Sequence, residues 1–318
     1  MKRISHAGRI GILAITAFAM AVSAFGQVGL RNAMDLDGDD RADFVVFRPS
    51  DATWYILKSN GTIVVQPFGI ANEDYMTPGD YDGDGTGDIA VYRDTNGTWY
   101  RINSQSNTFS VHQWGLPGDE PVARDYDGDG RTDFCVVRRS GGVLTWYVWL
   151  IGPGQFFSQP FGLEGDLVAP GDYDGNGGYD FAVQRPGASA TAVGTFYILN
   201  SQGFQVFEWG LSRDLVVPGD YDGDGKTDIA VAREGATATD VIEWHIRLSG
   251  GGSLQYFWGL TGSDLTVQND YDGDNKTDIA VWRNTDGRFY QLNSSNQNVN
   301  VFSWGLMNDY PVASYDTH

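Results

Sequence analysis

The sequence predicts an all-β fold, a β-propeller of six blades with about four antiparallel strands in each. Three observations carry that expectation. An Asp-rich segment recurs six times, starting at Asp35, Asp80, Asp125, Asp172, Asp220 and Asp270, at spacings of 45, 45, 47, 48 and 50 residues. Self-similarity at such a period marks a supersecondary unit that buries its apolar face against copies of itself. Between the acidic segments lie short runs of Val, Ile, Trp, Tyr and Phe bounded by Gly, Asn and Asp, which is strand-and-turn composition. No linker or composition break interrupts residues 27–318, so they read as one domain. The 318 residues are 41% hydrophobic and 14% aromatic, ample for a packed core despite 42 glycines.

The first element is set apart from the repeats. Lys2, Arg3 and Arg9 form a basic start, residues 10–22 are apolar, and Ser23, Ala24, Phe25 and Gly26 supply small residues. Residues 1–26 thus read as a secretory signal peptide cut after Gly26, with Ala24 as the second choice and an uncleaved anchor as the alternative. No second long apolar stretch follows. The expectation is a secreted, extracellular protein, cell-surface associated or free, with no membrane insertion after signal cleavage.

The core of each repeat reads Asp-Tyr-Asp-Gly-Asp-Gly-x-x-Asp, as in Asp220-Tyr221-Asp222-Gly223-Asp224-Gly225-Lys226-Thr227-Asp228. An apolar strand follows, such as Ile229-Ala230-Val231. Counting the first Asp as position 1, position 12 is Val46, Val91, Val136, Val183, Val231 or Val281, and position 14 is Arg48, Arg93, Arg138, Arg185, Arg233 or Arg283.

Two further strands come next. One opens on an aromatic pair in the first four repeats, Trp54-Tyr55, Trp99-Tyr100, Trp146-Tyr147 and Phe196-Tyr197, on Trp244-His245 in the fifth, and on Phe289-Tyr290 in the sixth. The other runs into an aromatic-Gly pair, for example Trp209-Gly210. A short run such as Asp214-Leu215-Val216-Val217-Pro218 then leads into the next acidic loop, which gives about four strands per repeat. The C-terminal run from Asp309 to Asp316 resembles the strand that precedes each loop and is expected to close the ring against the first blade. A seventh, incomplete blade is the alternative.

The acidic loops point to calcium, a hard cation that takes six to eight oxygen ligands. The candidate ligands at positions 1, 3, 5 and 9 are Asp35, Asp37, Asp39 and Asp43; Asp80, Asp82, Asp84 and Asp88; and Asp125, Asp127, Asp129 and Asp133. In the later repeats they are Asp172, Asp174, Asn176 and Asp180; Asp220, Asp222, Asp224 and Asp228; and Asp270, Asp272, Asp274 and Asp278. The position 7 carbonyl would turn inward beside them. Position 4 is Gly throughout, and position 6 is Gly, Asp40 or Asn275, the residue types that best tolerate positive φ. Up to six calcium ions are expected, with the fourth site weakest because Asn176 carries no charge. Valine at position 12 excludes EF-hand and dockerin-type loops, which need an acidic ligand there, and the long period excludes a nine-residue β-roll. Crowded carboxylates without a cation would oppose folding, so metal binding is expected to contribute folding free energy.

These residues resemble the FG-GAP repeats of integrin α-subunit propellers and, more fully, bacterial FG-GAP/VCBS-repeat secreted proteins. The resemblance covers residues 29–316 and implies a calcium-binding propeller. It implies adhesion, sugar binding or an ancillary role beside secreted enzymes, without choosing among them. Val-x-Arg stands where the family's Gly-Ala-Pro would be, so integrin-style partner contacts do not carry over.

The net charge of −20 disfavours nucleic acid as a partner. The position-14 arginines either grip anionic sugars as a ring or pair with neighbouring carboxylates. The repeated aromatics either stack on sugars or fill the core between blades, and Trp149, Trp282 and Tyr92, which stand outside the pattern, are candidates for exposed contact. Cys135, in an apolar run and with no second Cys to pair with, reads as a buried small side chain. The four His (His6, His112, His245 and His318) form no zinc or triad motif, so no enzyme is expected. The expected role is a binding or adhesion module, such as a multivalent lectin with an extracellular glycan ligand. The alternatives are a scaffold with a protein ligand and, more distantly, a polysaccharide-active enzyme.

Overall fold

Each blade is one antiparallel sheet of four strands, the short run before an acidic loop and the three strands after it, because the apolar runs are short and are separated by residues that turn. The computed structural model describes residues 33–313; the expected signal segment, residues 1–26, lies outside the described residues. Six such sheets are present among the described residues, which makes the fold a six-bladed all-β propeller.

The second blade shows the pattern: strands Asp74–Met76, Ile89–Arg93, Thr98–Ile102 and Phe109–Gln113, hydrogen-bonded in chain order. The acidic loop joins the first of these strands to the second. The first strands of blades two to five, together with Ala313, line a cavity of about 550 Å³, which places them around the central axis. The fourth strands alternate exposed and half-buried residues, as in Phe109–Gln113, which places them at the outer rim. The second strands, such as Ile89–Arg93, are buried on both faces.

The first blade is assembled from both ends of the chain. Its strands Phe44–Arg48, Thr53–Leu57 and Ile63–Pro67 are completed by Tyr310–Pro311, which pairs Val46 with Pro311 and Phe47 with Tyr310. The C-terminal run therefore closes the ring on the first blade, and no seventh blade forms among the described residues. Closure removes two sheet edges that would otherwise lie open.

The apolar core lies between blades. One cluster joins Val267, Ala280 and Phe289 of the sixth blade to Phe44 and Val45 of the first, and another joins Ala182 and Phe196 of the fourth to Val216 and Val231 of the fifth. The repeated aromatics fill this core: Trp54, Trp99, Trp146, Phe196, Trp244 and Phe289 are buried. Two of the residues expected to be exposed are core as well. Trp282 and Tyr92 are fully buried, because position 13 packs into the core shared with the next blade, Trp282 in the cluster of Phe44 and Val45 and Tyr92 in that of Phe134 and Val136. Trp149 remains half-buried at a cleft between blades. Cys135 is buried, as its apolar neighbours indicated.

Candidate metal centres

The six acidic loops fold in the same way. Position 1 organises each loop, because its side-chain carboxylate accepts backbone N–H groups that no strand can satisfy. Asp80 Oδ1 accepts from Gly83 N at 2.7 Å, and its Oδ2 accepts from Gly85 N at 2.8 Å. Asp35, Asp125, Asp172, Asp220 and Asp270 do the same. The bend requires left-handed backbone at position 4, where φ lies between 75° and 78° in all six loops. Position 6 is left-handed too, and Asp40 and Asn275 adopt φ of 66° where the other loops have Gly.

Position 9 anchors the loop to its blade. Asp88 Oδ2 accepts from Tyr81 N at 3.0 Å, and its Oδ1 accepts from Ser104 N at 2.7 Å in the turn between the next two strands. Asp43, Asp133, Asp228 and Asp278 bind the equivalent amides of Ser59, Ile151, Ser249 and Ser294. The fourth loop departs, since Ser201 N donates to Asp174 at position 3 instead. Position 5 turns toward the same hairpin: Ser104 and Ser249 hydroxyls donate to Asp84 and Asp224. Asn176 keeps the local geometry of this position, accepting from Gly178 N through Oδ1.

Six groups of carboxylates have ligand oxygens within 4.8 Å of one another. Positions 1, 3 and 9 come together as Asp80, Asp82 and Asp88; Asp125, Asp127 and Asp133; Asp172, Asp174 and Asp180; and Asp220, Asp222 and Asp228. In the first loop the group is Asp35, Asp37 and Asp39, with position 5 in place of position 9.

These sites suit a hard cation for two physical reasons. The Oδ1 atoms of Asp37, Asp82, Asp174 and Asp272, all at position 3, are buried without a hydrogen-bond partner, a costly condition for a charged oxygen. The position-9 carboxyls are also held far above their ordinary range, mainly by burial and partly by their like-charged neighbours. Asp88 and Asp278 rise to about 6, Asp43 and Asp228 to about 7, and Asp133 and Asp180 to about 8. Asp125 rises to about 7 and Asp220 to about 6 for the same reasons. All-oxygen donors with an unfilled coordination direction are what calcium chemistry requires. The protein supplies partial compensation at position 7, where Arg131, Lys226, Lys276 and Arg41 lie across Gly83, Gly175, Gly223 and Gly273 of the preceding loops. A cationic side chain thus covers the adjacent acidic loop at four of the six junctions, a contact that single-repeat reasoning does not reveal.

The position-14 arginines are paired side chains. Arg93 grips Asp74 through Nε and Nη2 at 2.7 and 3.0 Å, and Asp74 also accepts the amide of Ile70 in the preceding turn. Arg138, Arg185, Arg233 and Arg283 grip Asp119, Asp166, Asp214 and Asp264. The Asp lies 19 residues upstream each time, a constant interval readable in the sequence once the pairing is known. In the first blade the partner is Asp309, brought round by ring closure. The tyrosine after the aromatic position lies under the guanidinium in five blades, 4.0 Å away for Arg48 and Tyr55. Carboxylate pairing is therefore the outcome of the two readings of these residues.

Residues 35–91, which span the first two acidic loops and the sheet between them, match the family model described as FG-GAP-like repeat. The chain is a six-bladed β-propeller that carries FG-GAP-like repeat sequence with Asp groups that could hold metal ions. No curated protein matches the sequence. Among solved structures it is similar to an arginine-to-alanine triple mutant of AofleA from Arthrobotrys oligospora, with 10% identity and a TM-score of 0.55, over 85% of this chain and 84% of that one. It is also similar to TolB from Acinetobacter baumannii, with 12% identity and a TM-score of 0.50, over 85% of this chain; the chain spans 63% of that protein's length. At such identities the likeness concerns the fold alone.

Proposed function

We propose that this chain is an exported calcium-binding propeller that works by recognition, as a multivalent binding or adhesion module with carbohydrate as its first ligand class. The observation that carries the metal assignment is the set of buried, partnerless Oδ1 atoms on Asp37, Asp82, Asp174 and Asp272. Each stands where a cation would both complete its coordination and relieve the repulsion in its loop. The loop carboxylates join the first and second strands of each blade, so an ion held by them would fix those strand ends and the clefts between blades.

The recognition reading is supported by repetition. Equivalent clefts recur between blades, and several weak sites on one rigid ring gain strength through avidity. We assign no catalytic residue, because the gathered carboxylates serve the loops and the Arg pairs. Calorimetric titration of the calcium-free mature protein tests the metal, and a glycan array with calcium and with chelator tests the ligand. About six bound calcium ions and calcium-dependent binding to a narrow set of sugars are expected. A flat titration of folded protein would remove the metal assignment.

A protein ligand is the second reading, favoured by the outer rim. Phe109, Phe156, Phe204 and Phe257 on the fourth strands are all more than half exposed. A blank array together with co-purification of one protein partner would select it.

A further inference from the structure

Three clefts of common origin open at alternate junctions of the ring. Gln291, Asn300 and Phe302 of the sixth blade face Phe44 and Leu57 of the first; Ile198, Gln205 and Phe207 of the fourth face Ile229 and Arg247 of the fifth. Between the second and third blades the equivalent residues are Arg101, Ser110 and His112, facing Phe134 and Trp149. The strand register fixes the equivalence, since Arg101 pairs with Ser110 as Gln291 pairs with Asn300 and Ile198 with Gln205.

At the equivalent positions the other two clefts carry Gln291 with Phe302 and Ile198 with Phe207, so the fold does not need the pair that stands here. The departure here introduces two polar groups into an aromatic setting. Arg101 Nε donates to Ser110 Oγ at 2.8 Å, and the guanidinium lies 5.5 Å from the Tyr81 ring and 5.8 Å from the Phe134 ring. Its Nη1 is buried and has no hydrogen-bond partner. The His112 ring stacks on Phe134 at 4.8 Å and packs against Trp149 at 4.8 Å, and its Nε2 is likewise buried and without a partner. The cavity they share has a volume of about 140 Å³, with Trp99 as a further wall.

Two unsatisfied buried nitrogens beside one aromatic-walled cavity are costly unless a partner reaches them. Guanidinium N–H groups only donate, so the missing partner is an acceptor, and a planar anion matches their geometry best. In a chain of net charge −20, an anion is attracted only where positive charge is concentrated locally. We propose that the cleft between the second and third blades binds the carboxylate of a small organic acid, a sugar acid in the glycan setting, held by Arg101 Nη1 and by His112 in its Nε2–H tautomer. Trp99, Phe134 and Trp149 pack against the ligand's carbon skeleton. The assignment deepens the recognition reading and rests on it only for the sugar scaffold.

The test is titration of calcium-saturated protein with D-glucuronate and, separately, D-glucose, followed by calorimetry and by the fluorescence of the tryptophans that line the cleft. Glucuronate should bind saturably, acetate should compete with it, and glucose should give no response. Arg101→Gln and His112→Phe should each weaken glucuronate at least about tenfold, the loss expected for one charge-assisted hydrogen bond. Both variants should fold, because the chain itself places Gln291 and Phe302 at the equivalent positions, and an unchanged melting temperature verifies it. Silence toward glucuronate, or undiminished binding in both variants, overturns the site. Glucose binding as tightly as glucuronate overturns the carboxylate assignment and leaves the carbohydrate reading standing. Saturable glucuronate binding with a blank glycan array keeps the site and removes the extended-glycan reading.

Discussion

The amide of Ala42 donates to the carbonyl of Asp270, with N and O 2.8 Å apart, and this bond ties the first acidic loop to the sixth. The same bond recurs at every junction: Gly87 to Asp35, Thr132 to Asp80, Tyr179 to Asp125, Thr227 to Asp172 and Thr277 to Asp220, at 2.6 to 2.8 Å. Position 8 of each loop thus donates to position 1 of the loop before it, and six bonds form a closed ring. Position 1 is also the residue whose carboxylate organises its loop, so the organising residue of each loop is bonded to the backbone of the loop after it.

Metal sites joined in this way should lose calcium as a group. We expect Asp222→Ala to abolish one site and also to weaken the sites on either side, so that calorimetric stoichiometry at low calcium falls by more than one. The calcium-loaded melting temperature should drop as well. A loss of one site with unchanged affinity at the others would show the loops to be independent.

The pH dependence follows from the raised carboxyls. In chelator, Asp43, Asp133, Asp180 and Asp228 hold protons in the folded chain up to about pH 7–8, whereas the unfolded chain releases them near the ordinary value of 3.8. The folded state binds more protons in that window, so metal-free stability should fall as pH rises from about 5 to 8. Calcium competes with those protons, so its affinity should rise over the same range and binding should release protons. Melting curves in chelator at several pH values, and calorimetry in buffers of differing ionisation enthalpy, measure the two effects.

Arg48 and Asp309 hold the C-terminal strand against the first blade, through bonds of 2.9 Å from both Nε and Nη2. Asp309 also accepts the amide of Leu306. Asp309→Ala should cost about 3 kcal/mol by leaving the guanidinium and that amide unpaired. The equivalent change at Asp214, inside a blade of continuous chain, should leave the ends of the ring joined. Limited proteolysis near the C-terminus should accelerate in the first variant alone.

Gln184 is fully buried, and neither its amide oxygen nor its amide nitrogen has a partner. The corresponding residues of the other blades are Phe47, Tyr92, Val137, Ala232 and Trp282. Gln184→Met should stabilise the protein by about 1 kcal/mol, readable as a higher denaturant midpoint at unchanged slope.

At the junctions, side-chain size is matched between neighbours. A Cβ on Gly219 would lie 2.6 Å from Thr277, and Gly79 and Gly171 face Thr132 and Thr227 in the same way. Where the residue before the loop is larger, its neighbour changes too: Met34 stands at the junction of Gly87, and Arg124 lies near Tyr179. Gly219→Ala should destabilise by about 1–2 kcal/mol, and adding Thr277→Gly should recover part of the loss. Strict additivity of the two changes would argue that they do not touch.

The six-fold count, the strands and the gathering of Asp residues in each loop were legible in the sequence because each is a local property repeated at a fixed period. Position 4 must be Gly where φ is near 76°, and the strand after each loop must be apolar on both faces. These demands act within a few residues, so the chain records them wherever they recur. Single-repeat logic failed at Trp282 and Tyr92, which look like surface departures and are core, because the face they occupy is covered by another blade. It also left Arg48 and the other arginines undecided, since their carboxylate partners sit on a different strand.

The chain records, residue by residue, a ring of six Asp-rich loops on six small sheets, because spacing, turn residues and candidate ligand residues are all local. The tertiary structure alone decided how the copies meet. It set Ala42 against Asp270, Asp309 against Arg48, and Arg101 beside His112 with no partner for either Nη1 or Nε2. The physical reason is that contacts between blades depend on closure of the ring, which brings together residues from different repeats that no spacing along the chain relates.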